Sequence, residues 1–270
     1  MKKTLKVIAL VMAAVLALGI LAACGAEKTN ETETPAEKTK LIMATNASFP
    51  PYEFVGDDGN FAGIDVEIAG LIAEKLGLTL EIQDVEFGSI IGGVQSGKFD
   101  MGMAGMTVTD ERLQSVNFSN TYAIGVQSII VPVDSDITCF EDFFNEDGTV
   151  KENIKVGVQQ DTTGDIYVSD TVENGGLGEE HVTQFKVGND AVQALVAGKV
   201  DAVIIDNEPA KAYVASNEGL KVLDTAYTEE QYAICVAKEN TELLDKINAA
   251  LVELTNEGKI DEIINSYIGD

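Results

Sequence analysis

The sequence contains few of the residues that carry metal or redox chemistry. Its 270 residues include no tryptophan, a single histidine and three cysteines. His181 stands alone, and no two cysteines have the CxxC spacing that is typical of zinc or thiol-redox sites. We therefore predict that the protein uses no metal and no cofactor. For Cys139 and Cys235, a disulfide and two buried free thiols are both open interpretations.

Positive charge is also scarce. Eighteen Lys and Arg residues stand against 45 Asp and Glu residues, which gives a net charge of −27. Nucleic acids and anionic lipids are bound through clustered Lys and Arg side chains. The composition therefore argues against a nucleic-acid partner, and the high negative charge mainly favours solubility.

Arginine is the rarest charged residue, because Arg112 is the only one beside seventeen lysines. A guanidinium is planar and always charged, so it can hold a carboxylate through two parallel hydrogen bonds, which lysine cannot do. Two interpretations of Arg112 are open. It binds the carboxylate of a ligand, or it forms a surface ion pair, for instance with Asp110, that contributes little to stability.

The first 23 residues have the pattern of a secretory signal. Three lysines among the first six residues precede a continuous apolar stretch of seventeen residues, 7–23. This length is at the short end of what a membrane-spanning helix needs, so a signal peptide is the better interpretation. Removal of residues 1–23 takes away three lysines and no acid, and would change the net charge from −27 to −30.

The segment after the signal resembles the start of a bacterial lipoprotein. The sequence LAAC at residues 21–24 resembles a lipobox, which implies cleavage before Cys24 and a lipid such as palmitate on its thiol. Residues 24–40 are polar and charged and have little apolar surface to bury, so we predict a disordered, lipid-anchored tether. The expected location is the outer face of the bacterial cell membrane.

From residue 41 onward, apolar strands alternate with amphipathic helices. Helix 65–76 precedes strand 78–85, and helix 190–197 precedes strand 201–206. A strand at 101–106 and a helix at 164–173 continue the pattern. This alternation with short loops predicts an α/β fold of mainly parallel sheets with helices on both faces. About 230 residues are enough for two lobes. A repeated helix, GKxD and strand pattern at residues 97–100 and 198–201 also indicates two similar lobes.

Polar residues follow the strand in each of these two repeats. The first strand runs into Gly105, Thr107 and Arg112, and the second ends at Asp206. Open α/β sheets bind ligands at the carboxyl ends of their strands. A guanidinium and a carboxylate at such a site would complement the two charges of an α-amino acid. Asp206 has the alternative of capping the helix that follows it.

Seven segments together resemble the extracytoplasmic solute-binding proteins of polar amino-acid ABC importers, solute-binding protein family 3. The resemblance covers nearly all of residues 41–270. The segments are ATNASFPPYEF (44–54), GIDVEIAGLIAEKLGL (63–78), VEFGSIIGGVQSGKFDMGMAGMTVTDER (85–112), VNFSNTYA (116–123), VGVQQDTTG (156–164), AVQALVAGKVDAVIIDNEPA (191–210) and LLDKINAALVEL (243–254).

The resemblance implies a periplasmic-binding-protein-like fold of type II, in which two crossing strands join two lobes that close over the ligand. We expect the crossing strands near residues 122–126 and 228–232. Lobe 1 would then comprise residues 41–124 and 230–270, and lobe 2 residues 127–227. The protein is expected to be a monomer that binds an amino acid and an importer permease with its ATPase.

The resemblance also implies roles for individual residues. Phe49 and Phe87 would enclose the aliphatic part of the ligand, although buried phenylalanines are more often core residues. Arg112, Thr107 and Thr163 would bind the ligand carboxylate, and Asp206 with the carbonyl near Gly105 its ammonium group. The threonines could also serve in turns and caps. Further expected contacts are Met106 and Gln159, and candidates for specificity are Asn46, Ser48, Glu53 and Asp161.

Two positions depart from the family pattern. Asp161 stands where the family usually has glycine, and Asn46 stands where many members have aspartate. An Asp161 side chain in the cleft would repel a ligand carboxylate or favour a cationic side chain.

Two other functional classes remain as alternatives. An exported enzyme on this scaffold, such as a dehydratase of an amino-acid-like substrate, would need a general acid. Glu53 or Asp161 could serve, although the sequence indicates no partner that would tune either one. The second alternative is a ligand-sensing module that serves a receptor. We expect capture of an L-amino acid with a polar or charged side chain and no catalysis.

Overall fold

The computed structural model describes residues 38–224 and 228–269. The predicted signal peptide, Cys24 and nearly all of the predicted tether lie outside these residues. Residues from Thr39 onward form one compact unit. Within the described residues, no helix has the length and apolar character needed to cross a bilayer.

Strands and helices alternate through most of this unit. The strands are β1 (Lys40–Thr45), β2 (Ser48–Phe49), β3 (Glu53–Val55), β4 (Phe61–Ala62), β5 (Thr79–Asp84), β6 (Met101–Gly102), β7 (Val116–Phe118), β8 (Ala123–Pro132), β9 (Val156–Gln159), β10 (Val182–Phe185), β11 (Ala202–Asp206), β12 (Leu220–Val222), β13 (Thr228–Tyr232) and β14 (Cys235–Ala237). The α-helices are α1 (Ile64–Lys75), α2 (Ser89–Gln95), α3 (Asp110–Ser115), α4 (Thr163–Ser169), α5 (Gly188–Val196), α6 (Asn207–Ala215), α7 (Thr241–Asn256) and α8 (Lys259–Ile268). Short 3-10 helices span Phe140–Phe143, Val172–Asn174 and Glu179–His181.

The first sheet has the strand order β5-β1-β6-β14-β7. β1 is parallel to β5 and β6, whereas β14 is antiparallel to β6 and β7. The apolar side of α1 packs in the core of this sheet, because Ile68 and Ile72 recur at helical spacing and are fully buried with Leu41 and Met43. α7 and α8 pack against α1. The C-terminal helices therefore cover the first sheet.

The second sheet has the strand order β10-β9-β11-β8-β12, with β13 also paired to β8. β9, β10 and β11 are parallel, and β8 is antiparallel to β11, β12 and β13. The chain passes from the first sheet to the second between β7 and β8, and it returns between β13 and β14. The predicted two-lobed α/β fold is confirmed, with antiparallel strands added to each parallel core by these passages.

The boundaries of the lobes at 124/127 and 227/230 remain a prediction. Several elements are shorter than expected. The strand predicted at 101–106 ends at Gly102, because the chain then turns and Gly105 takes a positive φ of 50°. The helix predicted at 164–173 ends at Ser169. α8 had no counterpart in the sequence prediction.

Two of the three cysteines and the single histidine lie within the described residues. Cys235 is buried in β14, Cys139 is partly buried, and both are free thiols. The structure therefore favours the free-thiol interpretation over the disulfide. Nδ1 of His181 lies 3.1 Å from the carbonyl oxygen of Ile154, which ties the residue to the backbone of lobe 2.

Candidate ligand-binding site

A cavity lies where the ends of strands from both sheets face each other. The cavity volume is about 20 Å³, which is enough for roughly one or two water molecules. An amino acid is larger than this, so its entry requires the walls to separate. The lining residues are Asn46, Phe49, Glu53, Phe87, Ala104, Gly105, Thr107, Arg112, Gln159, Thr162, Thr163 and Asp206.

Arg112 is a buried residue of the short helix α3, and only 7% of it is exposed. Thr109 caps this helix by accepting a hydrogen bond from the Arg112 backbone N–H. The guanidinium donates to the carbonyl oxygens of Thr107 (2.9 Å) and Asp161 (3.0 Å), and its carbon lies 5.2 Å from the centroid of the Phe87 ring. In the described part of the chain, Arg112 forms no salt bridge. The surface ion-pair interpretation therefore does not fit this structure.

Asp206 is the last residue of β11 and occupies the N-cap position of α6. Its side chain makes no capping hydrogen bond, however. Instead it accepts a hydrogen bond from the Tyr232 hydroxyl and lines the cavity. Burial raises the pKa of Asp206 to about 7, and the nearby charge of Glu230 acts in the same direction. The carboxylate is thus available to a cationic group, and binding such a group would favour its ionised form.

Two phenylalanines line the same cavity. Phe49 is 6% exposed and stacks on Tyr52 at 6.0 Å between ring centroids, so it belongs to the core as well as to the cavity wall. Phe87 is partly buried and faces the guanidinium of Arg112. A Cβ atom on Gly105 would lie 2.9 Å from the Phe49 ring, and the positive φ there also favours glycine.

Glu53 and Asp65 form a buried carboxyl pair next to the cavity. Asp65 accepts hydrogen bonds from the backbone N–H of Gly105 (2.8 Å) and the hydroxyl of Tyr122 (2.9 Å). Burial raises the pKa of Asp65 to about 7. Burial and the charge of Asp65 raise the pKa of Glu53 well above its ordinary value, and a protonated Glu53 donates a hydrogen bond to Asp65. The expectation that Glu53 has no tuning partner is therefore wrong.

Asp161 lies at the rim of the cavity and contributes its backbone. Its φ of 64° is the only left-handed value of a non-glycine residue in the described chain. Its carbonyl accepts the hydrogen bond from Arg112, and its exposed side chain lies over Gly88 instead of lining the cavity. The backbone thus turns this side chain away from the cavity, and a role of Asp161 in specificity stays a prediction.

Asn46 and Gln159 meet across the cavity. The Gln159 amide donates to Asn46 Oδ1 at 2.9 Å, while the Asn46 amide donates to the carbonyl of Val85 at 2.8 Å. Two other predicted residues lie apart from the cavity lining. Met106 is fully buried in the core of the first sheet, and the carbonyl of Ser48 accepts a hydrogen bond from the Tyr213 hydroxyl. Met106 is therefore not among the lining residues, and its contact with a ligand stays a prediction.

Sequence reasoning missed the buried acid of β13. Glu230 is 4% exposed, and its Oε2 accepts hydrogen bonds from Thr107 (2.8 Å), Thr163 (3.0 Å) and Gln127 (3.1 Å). The alternation of strand β13 carried a signal, because Glu230 occupies an inward position between outward-facing Glu229 and Gln231. An acid at an inward strand position is expected to have a specific partner.

A family model of bacterial extracellular solute-binding proteins, family 3, matches residues 41–270. The chain belongs to this family. The arginine-binding extracellular protein ArtP of Bacillus subtilis (strain 168) is 31% identical over 245 residues, which cover 90% of each chain. Relatives of this kind are amino-acid-binding proteins of ABC transporters.

Solved structures of similar proteins have the same fold. An ancestral arginine-binding protein bound to arginine is 38% identical with a TM-score of 0.77, over 86% of this chain and 99% of that one. The ancestral amino-acid-binding protein AncCDT-1, described as a precursor of cyclohexadienyl dehydratase, is 30% identical with a TM-score of 0.74, over 84% of this chain and 95% of that one.

Proposed function

We propose that this family 3 protein captures one L-amino acid with a polar or charged side chain and delivers it to an ABC importer. The observation that supports this proposal is that Arg112 and Asp206, from opposite lobes, line one small cavity. Their charges match the carboxylate and the ammonium group of an amino acid. Charge-assisted hydrogen bonds of this kind contribute roughly 1.5–3 kcal/mol each, so two or three suffice for micromolar affinity after ordering costs.

The charge around the cavity favours a ligand with a cationic side chain. Apart from Glu53, whose pKa burial raises well above its ordinary value, three carboxyl groups lie in or beside it, whereas Arg112 is the one cation among the lining residues that the structure describes. An ammonium group and a carboxylate on the ligand would leave this excess of acid unbalanced. ArtP is an arginine-binding protein and the ancestral protein was solved with arginine bound, which supports testing arginine first.

Delivery requires opening and closing of the cavity between the lobes. Hydrogen bonds that cross it, such as Gln159 to Asn46 and Arg112 to Asp161, are expected to break when the lobes separate. A lipid on Cys24 would hold the protein at the outer face of the membrane as a monomer, next to the permease and its ATPase.

A ligand screen tests this function. The chain from residue 39, which contains the whole compact unit, would be titrated with the twenty standard amino acids by thermal shift and calorimetry. We expect micromolar or tighter binding of at least one of them. No signal with any amino acid would contradict the proposal.

Two observations favour the enzyme alternative: the similarity to AncCDT-1, and the Glu53 carboxyl in the cavity wall, whose pKa burial raises well above its ordinary value. We propose that this group has no catalytic role, because its hydrogen bond to Asp65 keeps the proton inside the lobe. Incubation with the best ligands should leave them unchanged in mass spectra. Formation of a dehydrated product would favour the enzyme instead.

A further inference from the structure

Glu230 accepts hydrogen bonds from side chains on both sides of the cavity. It lies in β13, which pairs with β8, and its Oε2 accepts from Thr107 Oγ1 at 2.8 Å and Thr163 Oγ1 at 3.0 Å. Thr107 belongs to the first lobe and forms an isolated bridge with Tyr232, whereas Thr163 begins helix α4 of the second lobe. One buried carboxylate oxygen thus binds a hydroxyl from each wall.

The direction of these hydrogen bonds limits what the hydroxyls can offer to a ligand. A threonine hydroxyl has one proton and two lone pairs, and an ionised carboxylate can only accept. Thr107 and Thr163 therefore each donate their single hydroxyl proton to Glu230. Toward the cavity they can present only lone pairs, and Thr163 also receives a long bond of 3.4 Å from Gln127.

We propose that Glu230 is a positioning residue that orients the hydroxyls of Thr107 and Thr163 as acceptors for the ammonium group of the ligand. This inference rests on the proposed function. Under this proposal neither hydroxyl serves the ligand carboxylate, since neither retains a proton for that purpose. The ligand carboxylate is left to Arg112.

Other groups near Glu230 agree with a cation-binding side of the cavity. Asp206 lies close enough for the Glu230 charge to affect it, and Tyr232, two residues further along β13, donates to Asp206. Acceptors and negative charge therefore surround Glu230, and the charges of Glu230 and Asp206 also reach Arg112. Arg112 donates to the carbonyls of Thr107 and Asp161 and provides the positive charge.

A pair of ligands that differ only in the ammonium group tests the proposal. The probes are L-arginine and 5-guanidinopentanoate, or L-glutamine and glutaramate if the wild type prefers glutamine. Glu230→Gln keeps the shape of the side chain but removes the charge and adds a donor. We expect its affinity for the amino acid to fall about tenfold or more, and its affinity for the deaminated analogue to change less than about threefold.

Glu229→Gln is the matched control. Glu229 is the preceding residue of β13 and is exposed, so this variant removes the same charge without touching the threonines. We expect its affinity for both probes to stay within about twofold of the wild type. Circular dichroism and thermal unfolding would establish that each variant folds.

Thr107→Val and Thr163→Val test the same role through the hydroxyls. Each should weaken amino-acid binding more than binding of the deaminated analogue. Combining Thr107→Val with Glu230→Gln should cost less than the sum of the two single effects, because both changes remove one shared interaction. These variants also carry the test if Glu230→Gln does not fold.

Three results would overturn the inference. Equal losses for both probes would indicate a purely structural role of Glu230. Tighter binding by Glu230→Gln would indicate that Glu230 competes with the ligand carboxylate for the threonines. Additive effects in the double variant would show that Glu230 and the Thr107 hydroxyl act independently. If the wild type binds no amino acid at all, the proposed function itself fails, and this inference fails with it.

Discussion

The guanidinium of Arg112 donates a hydrogen bond of 3.0 Å to the backbone carbonyl of Asp161, which belongs to the opposite lobe. The left-handed φ of Asp161, 64°, accompanies this exposed carbonyl and turns the side chain away from the cavity. Arg112, which is expected to bind the ligand carboxylate, is thus held by the backbone of Asp161, while the Asp161 side chain lies outside the cavity. The contact explains how an acid can occupy this position without placing its charge in the cavity.

Arg112→Lys should weaken amino-acid binding by tenfold or more. Lysine keeps the charge, but it cannot form two parallel hydrogen bonds to a carboxylate. Calorimetric titration well below the unfolding temperature would measure the dissociation constant. Because the variant also loses hydrogen bonds to two backbone carbonyls, we expect the free energy of unfolding to fall by about 1–2 kcal/mol. An unchanged dissociation constant would remove Arg112 from the binding site.

The stability of Asp161 variants should depend on how easily the new residue adopts the positive φ of this position. Asp161→Gly should change the free energy of unfolding by no more than about 1 kcal/mol, because easier access to positive φ offsets the greater entropy of the unfolded chain. Asp161→Val should lower it by about 2 kcal/mol, because a β-branched residue is strained at this φ. Urea unfolding measures both. Equal stabilities of the two variants would contradict the assignment of strain.

Amino-acid affinity should increase as the pH rises from 5 to 8. The pKa of Asp206 is raised to about 7, so the carboxyl is mostly protonated at pH 5 and must lose its proton to pair with an ammonium group. Affinity should therefore fall by up to about tenfold per pH unit below 7. Titrations at several pH values would test this dependence. Asp206→Asn should bind more weakly and show a flatter profile, and a wild-type profile without slope would be evidence against the pairing.

Stability should decrease over the same pH range because of Glu53 and Asp65. The pKa of Asp65 rises from its ordinary 3.8 to about 7 in the folded protein, so between these values the folded state binds more protons than the unfolded state. This contribution is complete below about pH 4 and is lost as the pH rises through 7.

Asp65→Asn should reduce the slope of unfolding free energy against pH by about 1.4 kcal/mol per pH unit in the middle of this window. Urea unfolding at intervals of one pH unit would measure the slope. Asp57→Asn provides a comparison, since Asp57 is an exposed acid in the turn after β3. The same slope in wild type and Asp65→Asn would show that Asp65 does not titrate in this range.

Secondary structure and the ends of strands followed from local sequence. Apolar residues at helical spacing predicted α1, and alternation predicted β5 within one or two residues of its bounds. α8 was missed although Ile260 and Ile263 recur at helical spacing, because its ten residues follow α7 after only two others. Local patterns thus identify elements better than they divide consecutive helices.

The sequence by itself determined the fold class and indicated the two oppositely charged residues, since Asp206 ends a strand, Arg112 comes after one, and parallel strands expose their carboxyl ends at one edge. Only the tertiary structure decided which protons the site retains. Glu230 and Thr107 are 123 residues apart, and Glu53 meets Asp65 only after α1 packs. Hydrogen-bond direction and protonation depend on distance and burial, and neither can be read from the order of residues along the chain.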